Sequence, residues 1–295
     1  MTAGGLVPYP ARIVAIAPEC ADTRTVVVRP DARTPALDAA TPGQFVMLSV
    51  FGHGEAAFTL SALSGAGAEP GTAVVTVRRV GSLTGALFGL APGARVGLRG
   101  PYGRGFPPHG DQPIVYVAGG CGLAPLRAAI ARDVALPGRR LAVVYGARDA
   151  DARIHRADLA VWGRTPGVAL LECVERPSPD WRGHVGSVLD LVDEAVAGVG
   201  ARRAAVCGPP AMLPVVAERL CRLGLEASDV HLAIERYMKC GTGHCGHCYV
   251  NHRYVCTDGP VFSFAELQAL PDAFSSTCSI VPSGRAGRSR LAPCS

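Results

Sequence analysis

Residues 113–126 read Pro-Ile-Val-Tyr-Val-Ala-Gly-Gly-Cys-Gly-Leu-Ala-Pro-Leu: an apolar run, a glycine-rich turn, and a proline set for the first turn of a helix. The run is short and continuously apolar, the pattern of a strand covered on both faces. Gly119, Gly120 and Gly122 end it. Pro125 suits the start of a helix, where its missing N–H costs nothing, and that helix is expected to run to about residue 135. The alternation returns downstream: Arg-Leu-Ala-Val-Val-Tyr at 140–145, Gly-Val-Ala-Leu-Leu-Glu at 167–172 and Arg-Ala-Ala-Val-Cys at 203–207 are separated by helical stretches. Strands alternating with helices build a parallel sheet with helices on both faces.

Upstream the rhythm differs. From about residue 5 to 105 short β-branched runs, such as 24–29, 44–50 and 73–78, are divided by Gly/Pro turns, which means a barrel or sandwich. Downstream of 230 comes a cysteine-rich segment, closed by a helix signal at 263–270 in which Ser263 and Glu266 can form a capping box. The last 25 residues, rich in Ser, Pro and Arg, read as a tail. At 295 residues the chain has room for two or more domains. Its 18% of charged residues and net charge of +5 are dispersed, so neither nucleic acid nor an anionic membrane surface is implied, and no apolar stretch is long enough to span a bilayer. The first residues lack a secretory pattern, so a cytoplasmic location with reduced thiols is expected.

Cys240, Cys245, Cys248 and Cys256 are separated by four, two and seven residues, with glycines between them. A C-x4-C-x2-C run followed by a fourth Cys is the ligand spacing of a plant-type [2Fe–2S] cluster. Zinc is the alternative, with His244, His247 or His252 replacing a thiolate, although zinc usually pairs its cysteines at two separated places. Disulfides fit a chain without a secretory signal poorly. Cys278 and Cys294 in the tail have no assigned role beyond a reduced thiol.

Two glycine loops suit a nucleotide. Gly119, Gly120 and Gly122 let the backbone approach a pyrophosphate at a helix N-terminus. Pro125 stands where a dinucleotide fingerprint has its third glycine, so a purely structural turn is the competing reading. The second loop, Cys207-Gly208-Pro209-Pro210, follows the last strand, and both loops fall at strand C-terminal ends, where open α/β sheets bind ligands.

The order of these parts resembles the ferredoxin–NADP reductase superfamily, and more narrowly the electron-transfer subunits of multisubunit hydrogenases (their gamma subunit), anaerobic sulfite reductase and dihydroorotate dehydrogenase. Seven motifs over about residues 8 to 270 carry the resemblance: Phe58-Thr59-Leu60-Ser61, 80–84 (Val-Gly-Ser-Leu-Thr), 99–103 (Arg-Gly-Pro-Tyr-Gly), 119–126, 145–148 (Tyr-Gly-Ala-Arg), 207–210 and the cysteine loop. It implies a multidomain β plus α/β fold: an antiparallel FAD-binding β-barrel over 1–107, a parallel-sheet NAD(P)-binding domain over 108–230, a [2Fe–2S] segment over 231–270 and a tail over 271–295.

The resemblance lays Phe58, Thr59, Leu60 and Ser61 along the isoalloxazine, with the Thr59 hydroxyl at its reactive nitrogen, and assigns Val77 and Arg78 to the same cofactor. Gly81, Ser82 and Thr84 would cradle the flavin pyrophosphate. An arginine usual two positions before the aromatic is replaced here by Ala56, leaving backbone amides, or Arg78 and Arg79, to hold the phosphates. Gly119, Gly120, Gly122, Ala124 and Pro125 would meet the NAD(P) pyrophosphate, Arg148 its adenosine ribose, and Cys207, Gly208 and Pro209 the nicotinamide, with Cys207 beside the hydride path but not a nucleophile. The four cysteines would ligate the cluster. Ordinary strand, turn and buried-thiol roles are the bland alternatives for these residues.

The implied activity is an NAD(P)H-linked FAD and iron–sulfur oxidoreductase subunit. A nicotinamide moves two electrons as a hydride and a cluster moves one, so a flavin must lie between them. No residue set reads as a nickel or haem site, so the resemblance points to separate partner subunits: hydrogenase large and small subunits and an iron–sulfur subunit. The Gly54-Glu55-Ala56 opening favours that branch over dihydroorotate dehydrogenase or sulfite reductase. From a different class, a zinc-stabilised assembly module could keep the fold without the cofactors.

Overall fold

The computed structural model describes residues 6–270 and 272–274; the rest of the expected tail, with Cys278 and Cys294, lies outside the described residues. The first domain holds β1 (Tyr9–Cys20), β2 (Thr23–Pro30), α1 (Pro35–Asp38), β3 (Phe45–Val50), β4 (Gly54–Ser64), β5 (Gly67–Ala68), β6 (Ala73–Arg78), α2 (Ser82–Phe88) and β7 (Arg95–Tyr102). Six strands in the order β3-β7-β1-β2-β6-β4 pair antiparallel, and β3 pairs with β4 to close the ring, so the structure decides for the barrel over the open sandwich. The period-2 runs explain why. Val26 and Val28, Val46 and Leu48, Val75 and Val77, and Val96 and Leu98 lie two apart and join one apolar interior.

β3 departs from that alternation because every one of its positions is buried. Val46, Leu48 and Val50 fill the barrel, whereas Phe45 and Met47, on the other face, join the cluster of Cys248, Val250, Val255 and Cys256. The cysteine segment thus covers one wall of the barrel.

The second domain runs β8 (Ile114–Gly119), α3 (Leu123–Val134), β9 (Leu141–Ala147), α4 (Arg156–Trp162), β10 (Val168–Val174), β11 (His184–Val185), α5 (Leu189–Val199), β12 (Arg203–Cys207), α6 (Met212–Arg222) and β13 (Val230–Ala233). Strands β8 to β13 are parallel, in the order β11-β10-β9-β8-β12-β13. The crossover at β8, which has β9 on one side and β12 on the other, opens a crevice at the strand C-terminal ends.

The cysteine segment contains β14 (Tyr249–Val250), β15 (Arg253–Tyr254), α7 (Val255–Asp258), β16 (Val261–Ser263) and α8 (Phe264–Gln268). It is built into the molecule rather than appended to it: β16 pairs antiparallel with β13 and becomes the edge of the second sheet. β13 itself runs across residue 230, continuing the sheet into the stretch that carries the cysteines. The capping box at α8 forms as expected, with Ser263 and Glu266 bonding each other's backbone N–H. Glu266 also receives both ends of Arg104 from the barrel exit, at 3.0 and 2.7 Å.

A polar seam fixes the barrel against the α/β domain. His155, in the left-handed region at φ 52°, donates its backbone N–H to Glu19 at 2.7 Å and puts its ring 3.2 Å from Thr76 Oγ1. Arg127 of α3 bonds the Ser61 carbonyl at 3.2 Å and Asp158 at 2.6 Å. Burial opposes ionisation of Glu19, but its bonds from His155 and Thr25 prevail and hold its carboxyl down at about 2.

Candidate redox site

At the C-terminal ends of β8, β9, β10 and β12 lies a cleft of about 780 Å³, lined by Gly119, Gly120, Arg148 and Pro209 and, from the barrel, by Asp22 and Arg78. The glycines are steric requirements. A Cβ at Gly122 would stand 2.3 Å from the Cys207 carbonyl oxygen, and one at Gly119 would stand 2.7 Å from Met212 Sδ. The two loops touch backbone to backbone, which juxtaposes 119–122 with 207–209. Ala124 is buried in the domain core and packs the helix, while Pro125 is half-buried in its first turn. Arg148 pairs with Asp149 at 3.1 Å, and Asp149 also takes Arg176 at 3.3 Å, so its charge is shared within a local network. Arg78 is held by Asp22 at 3.0 Å at the same cleft. Asp22, on the β1–β2 turn, is a cleft residue that motif reading passes over because it belongs to no glycine loop.

Cys207 is buried, and loss of solvent, reinforced by the Glu235 charge, drives its thiol well above the ordinary range. Cys121 rises to about 12 for the same two reasons. Glu235, just past β13, is the acid whose charge acts on both thiols, and sequence reading missed it. Its side chain is open to solvent yet crowded enough by the protein for desolvation to raise its own pKa. The signal was available: it is an acid immediately after a sheet strand, ahead of the first cluster cysteine.

On the barrel, Phe58 and Thr59 are half-buried and Leu60 and Ser61 buried. Thr59 lies opposite Phe45 of β3. The Ser61 hydroxyl is committed to the seam, receiving Thr76 Oγ1 at 3.1 Å and donating to the Val74 carbonyl at 3.3 Å. Val77 faces the barrel interior. At the α2 turn, Thr84 Oγ1 accepts from the Val80 and Gly81 amides at 2.9 and 3.0 Å, so it shapes the turn from within, and Ser82 remains exposed. Ala56 supplies no cation. Arg24 and Arg79 instead flank the Phe88 ring at 4.5 and 5.5 Å.

In the cysteine loop Gly241, Gly243 and Gly246 take φ of 76°, 77° and 75°, which turns successive N–H groups inward. Thr242 N–H points at Cys240 Sγ at 3.4 Å and Gly243 N–H at Cys256 Sγ at 3.2 Å. Burial pushes the Cys240 thiol up, but the amides aimed at its sulfur prevail and bring it to about 6. Neighbouring thiols add to these shifts: Cys245 helps lower Cys240, and Cys256 lowers Cys248 to about 7. Among the described residues no group of three or more His, Cys, Asp or Glu side chains is arranged around a single ion position. His244 and His247 are exposed and turn Nδ1 to the Thr242 and Cys245 carbonyls, both at 3.1 Å. Four cysteines at this spacing in one segment, with amides directed at the sulfurs of Cys240 and Cys256, fit a thiolate-held iron–sulfur cluster.

The fold and these sites define a flavin- and nicotinamide-linked reductase with an iron–sulfur segment. Residues 116–218 match the oxidoreductase NAD-binding domain, and 235–268 match the iron–sulfur cluster binding domain of dihydroorotate dehydrogenase B. Sulfhydrogenase 1 subunit gamma of Pyrococcus furiosus is 32% identical over 241 residues, covering 78% of this chain and 81% of that protein. A probable electron-transfer subunit of dihydroorotate dehydrogenase B (NAD(+)) from Methanothermobacter thermautotrophicus is 36% identical over 231 residues, covering 78% and 80%. A solved structure of the NADH-dependent reduced ferredoxin-NADP oxidoreductase superposes with a TM-score of 0.72 at 23% identity, over 93% of this chain and 95% of that one, and so shares the fold. The chain belongs to the family of ferredoxin–NADP reductase-like electron-transfer subunits, whose cofactors are FAD, an iron–sulfur cluster and NAD(H). No helix among the described residues is long and apolar enough to cross a membrane.

Proposed function

We propose that this chain is the NAD(P)H-linked redox subunit of a multisubunit oxidoreductase, exchanging electrons with a partner metalloenzyme through Cys240, Cys245, Cys248 and Cys256. The observation that carries this reading is the double burial of β3. Phe45 faces Thr59 across the β3–β4 ladder and packs on Tyr102 with ring centroids 5.9 Å apart. A Cβ at Gly241 of the cysteine loop would lie 3.1 Å from Tyr102 and 3.2 Å from Met47. The wall assigned to the flavin and the loop assigned to the cluster are thus separated by one layer of side chains.

Each residue then has a task. Gly119, Gly120 and Pro209 give the nicotinamide coenzyme a close backbone bed, and Cys207 fills space beside it as a protonated, non-nucleophilic thiol. Phe58 and Thr59 wall the isoalloxazine, the Ser82 side of α2 meets its phosphates, and the Arg127 and His155 seam keeps the two halves in register. When bound, FAD supplies the conversion between a two-electron hydride and single electrons that the thiolate-held cluster can carry. Cys245, the exposed ligand, marks the side where a partner receives or delivers them.

The partner we favour is a hydrogenase, on the Gly54-Glu55-Ala56 opening and the sulfhydrogenase relatives. A dihydroorotate dehydrogenase partner is the second reading, favoured by the domain matched at 235–268. Anaerobic purification with co-eluting subunits separates the two. Cys245→Ser tests the site itself: iron and the reduced-cluster electron paramagnetic resonance signal should be lost while NAD(P)H still bleaches the flavin. Unchanged iron content and spectrum would sink the ligand assignment.

A further inference from the structure

Arg99, on β7, is the most completely buried arginine among the described residues, its side chain 2% exposed, and no role in the reading above uses it. Its guanidinium is engaged along two edges. One edge meets Glu55, with Nε donating to Oε1 at 3.0 Å and Nη2 to Oε2. The other edge reaches across the domain boundary, with Nη1 donating to the Cys240 carbonyl at 2.7 Å and Nη2 to the Lys239 carbonyl at 3.2 Å. Glu55, on β4, is steadied by Ser49 Oγ of β3 at 2.7 Å. Three strands of the barrel therefore converge on two successive carbonyls at the start of the cysteine loop. Lysine could not replace this fork, because its ammonium lacks the planar arrangement that serves two acceptors on each side.

We infer that the Glu55–Arg99 pair is a positioning and tuning device for the iron–sulfur cluster, locking the first ligand residue, Cys240, against the barrel wall. The inference rests on the ligand assignment proposed above. Two consequences follow from the charges. Arg99 places a desolvated positive charge beside a centre that becomes more negative on reduction, and Glu55 cancels most of that field. Removing the negative partner alone leaves the cation unbalanced and favours the reduced cluster. Removing the fork alone keeps the charge but releases the loop. The pair also explains why Glu55 stands in the Gly54-Glu55-Ala56 opening: on the strand that walls the flavin, it answers a cation that holds the cluster.

The test uses the full chain with its cofactors, in Glu55→Gln and Arg99→Lys forms, assayed for iron, flavin, cluster midpoint potential and the separate rates of NAD(P)H-to-flavin and flavin-to-cluster transfer. Glu55→Gln should shift the cluster equilibrium about tenfold toward reduction, which for one electron is about 59 mV upward. Arg99→Lys should slow flavin-to-cluster transfer at least tenfold, or lose iron, while hydride transfer to flavin is kept. Iron-replete variants with wild-type potential and wild-type transfer rate would overturn the inference. So would loss of flavin together with iron in both variants, since the pair would then serve the barrel and not the loop. A wild-type chain that binds flavin but no iron would instead defeat the ligand assignment, before either variant is compared.

Discussion

The cleft proposed for the nicotinamide coenzyme and the loop proposed for the cluster are both built from glycine and cysteine, yet they treat each residue type in opposite ways. In the cleft, Gly122 is needed because two loops press backbone on backbone and Gly119 because the Met212 and Pro209 side chains crowd it, and the thiols of Cys121 and Cys207 lose solvent without gaining donors enough to offset it. In the cluster loop, Gly241, Gly243 and Gly246 are needed for positive φ, and the amides they swing inward draw the Cys240 thiol down to about 6. At Cys240 the N–H groups facing the sulfur outweigh burial, whereas at Cys256, which also has an N–H facing it, the neighbouring Cys248 thiol and burial prevail and raise the thiol.

The comparison can be broken most directly at Cys245. Complete loss of the cluster signal in Cys245→Ser, with flavin reduction retained, would confirm that the two thiol environments serve separate electron steps. Gly122→Ala tests the steric claim. Its Cβ would stand 2.3 Å from a backbone oxygen that cannot rotate away. A destabilisation of about 1–3 kcal/mol is expected from overpacking, with NAD(P)H affinity weakened about tenfold, equal to about 1.4 kcal/mol, and iron content unchanged. Thermal melts and coenzyme titration read both.

The seam between the halves yields a pH prediction. Glu19 is held at about 2 in the fold and titrates near 4.5 when unfolded, so its contribution is present above about pH 4.5 and is lost as pH falls toward 2. That contribution is on the order of 2 kcal/mol. Glu19→Gln should flatten the fall in stability over that acid window and lower stability at pH 7, as followed by chemical denaturation. The smallest effect is expected at Cys207→Ala. If the thiol only fills space, the rate of hydride transfer should fall less than about tenfold, against the roughly 10²–10⁴ that removal of a positioned acid–base group causes.

Much of the architecture could be read from local pattern. Period-2 runs announced the barrel strands, continuous runs the parallel strands, and Ser263 with Glu266 the start of α8. The cysteine spacing announced the cluster. What local pattern could not show was that Phe45 and Met47 face outward onto the cysteine segment, because an apolar strand covered on both faces reads alike whatever covers it. Nor could it show β16 as the edge of the second sheet, or the 141-residue span between Arg99 and Cys240 closed by one hydrogen bond. Thr84 and Ser61 fall between these cases. Their motifs are legible, but their hydroxyls turn to neighbours in the protein that only folding brings near.

The amino-acid sequence by itself determined which chemistry this chain can hold: thiolates at cluster spacing, glycine loops at strand ends, and a β domain followed by an α/β domain. Those properties depend on residue type and short separation, which a linear chain already contains. Only the tertiary structure decided how the parts are coupled, placing the cysteine loop on the outer face of β3 and Arg99 beneath Cys240. Burial, desolvation and long-range pairing exist only after the chain has closed on itself, and they are what bring the barrel, the cleft and the cysteine loop together.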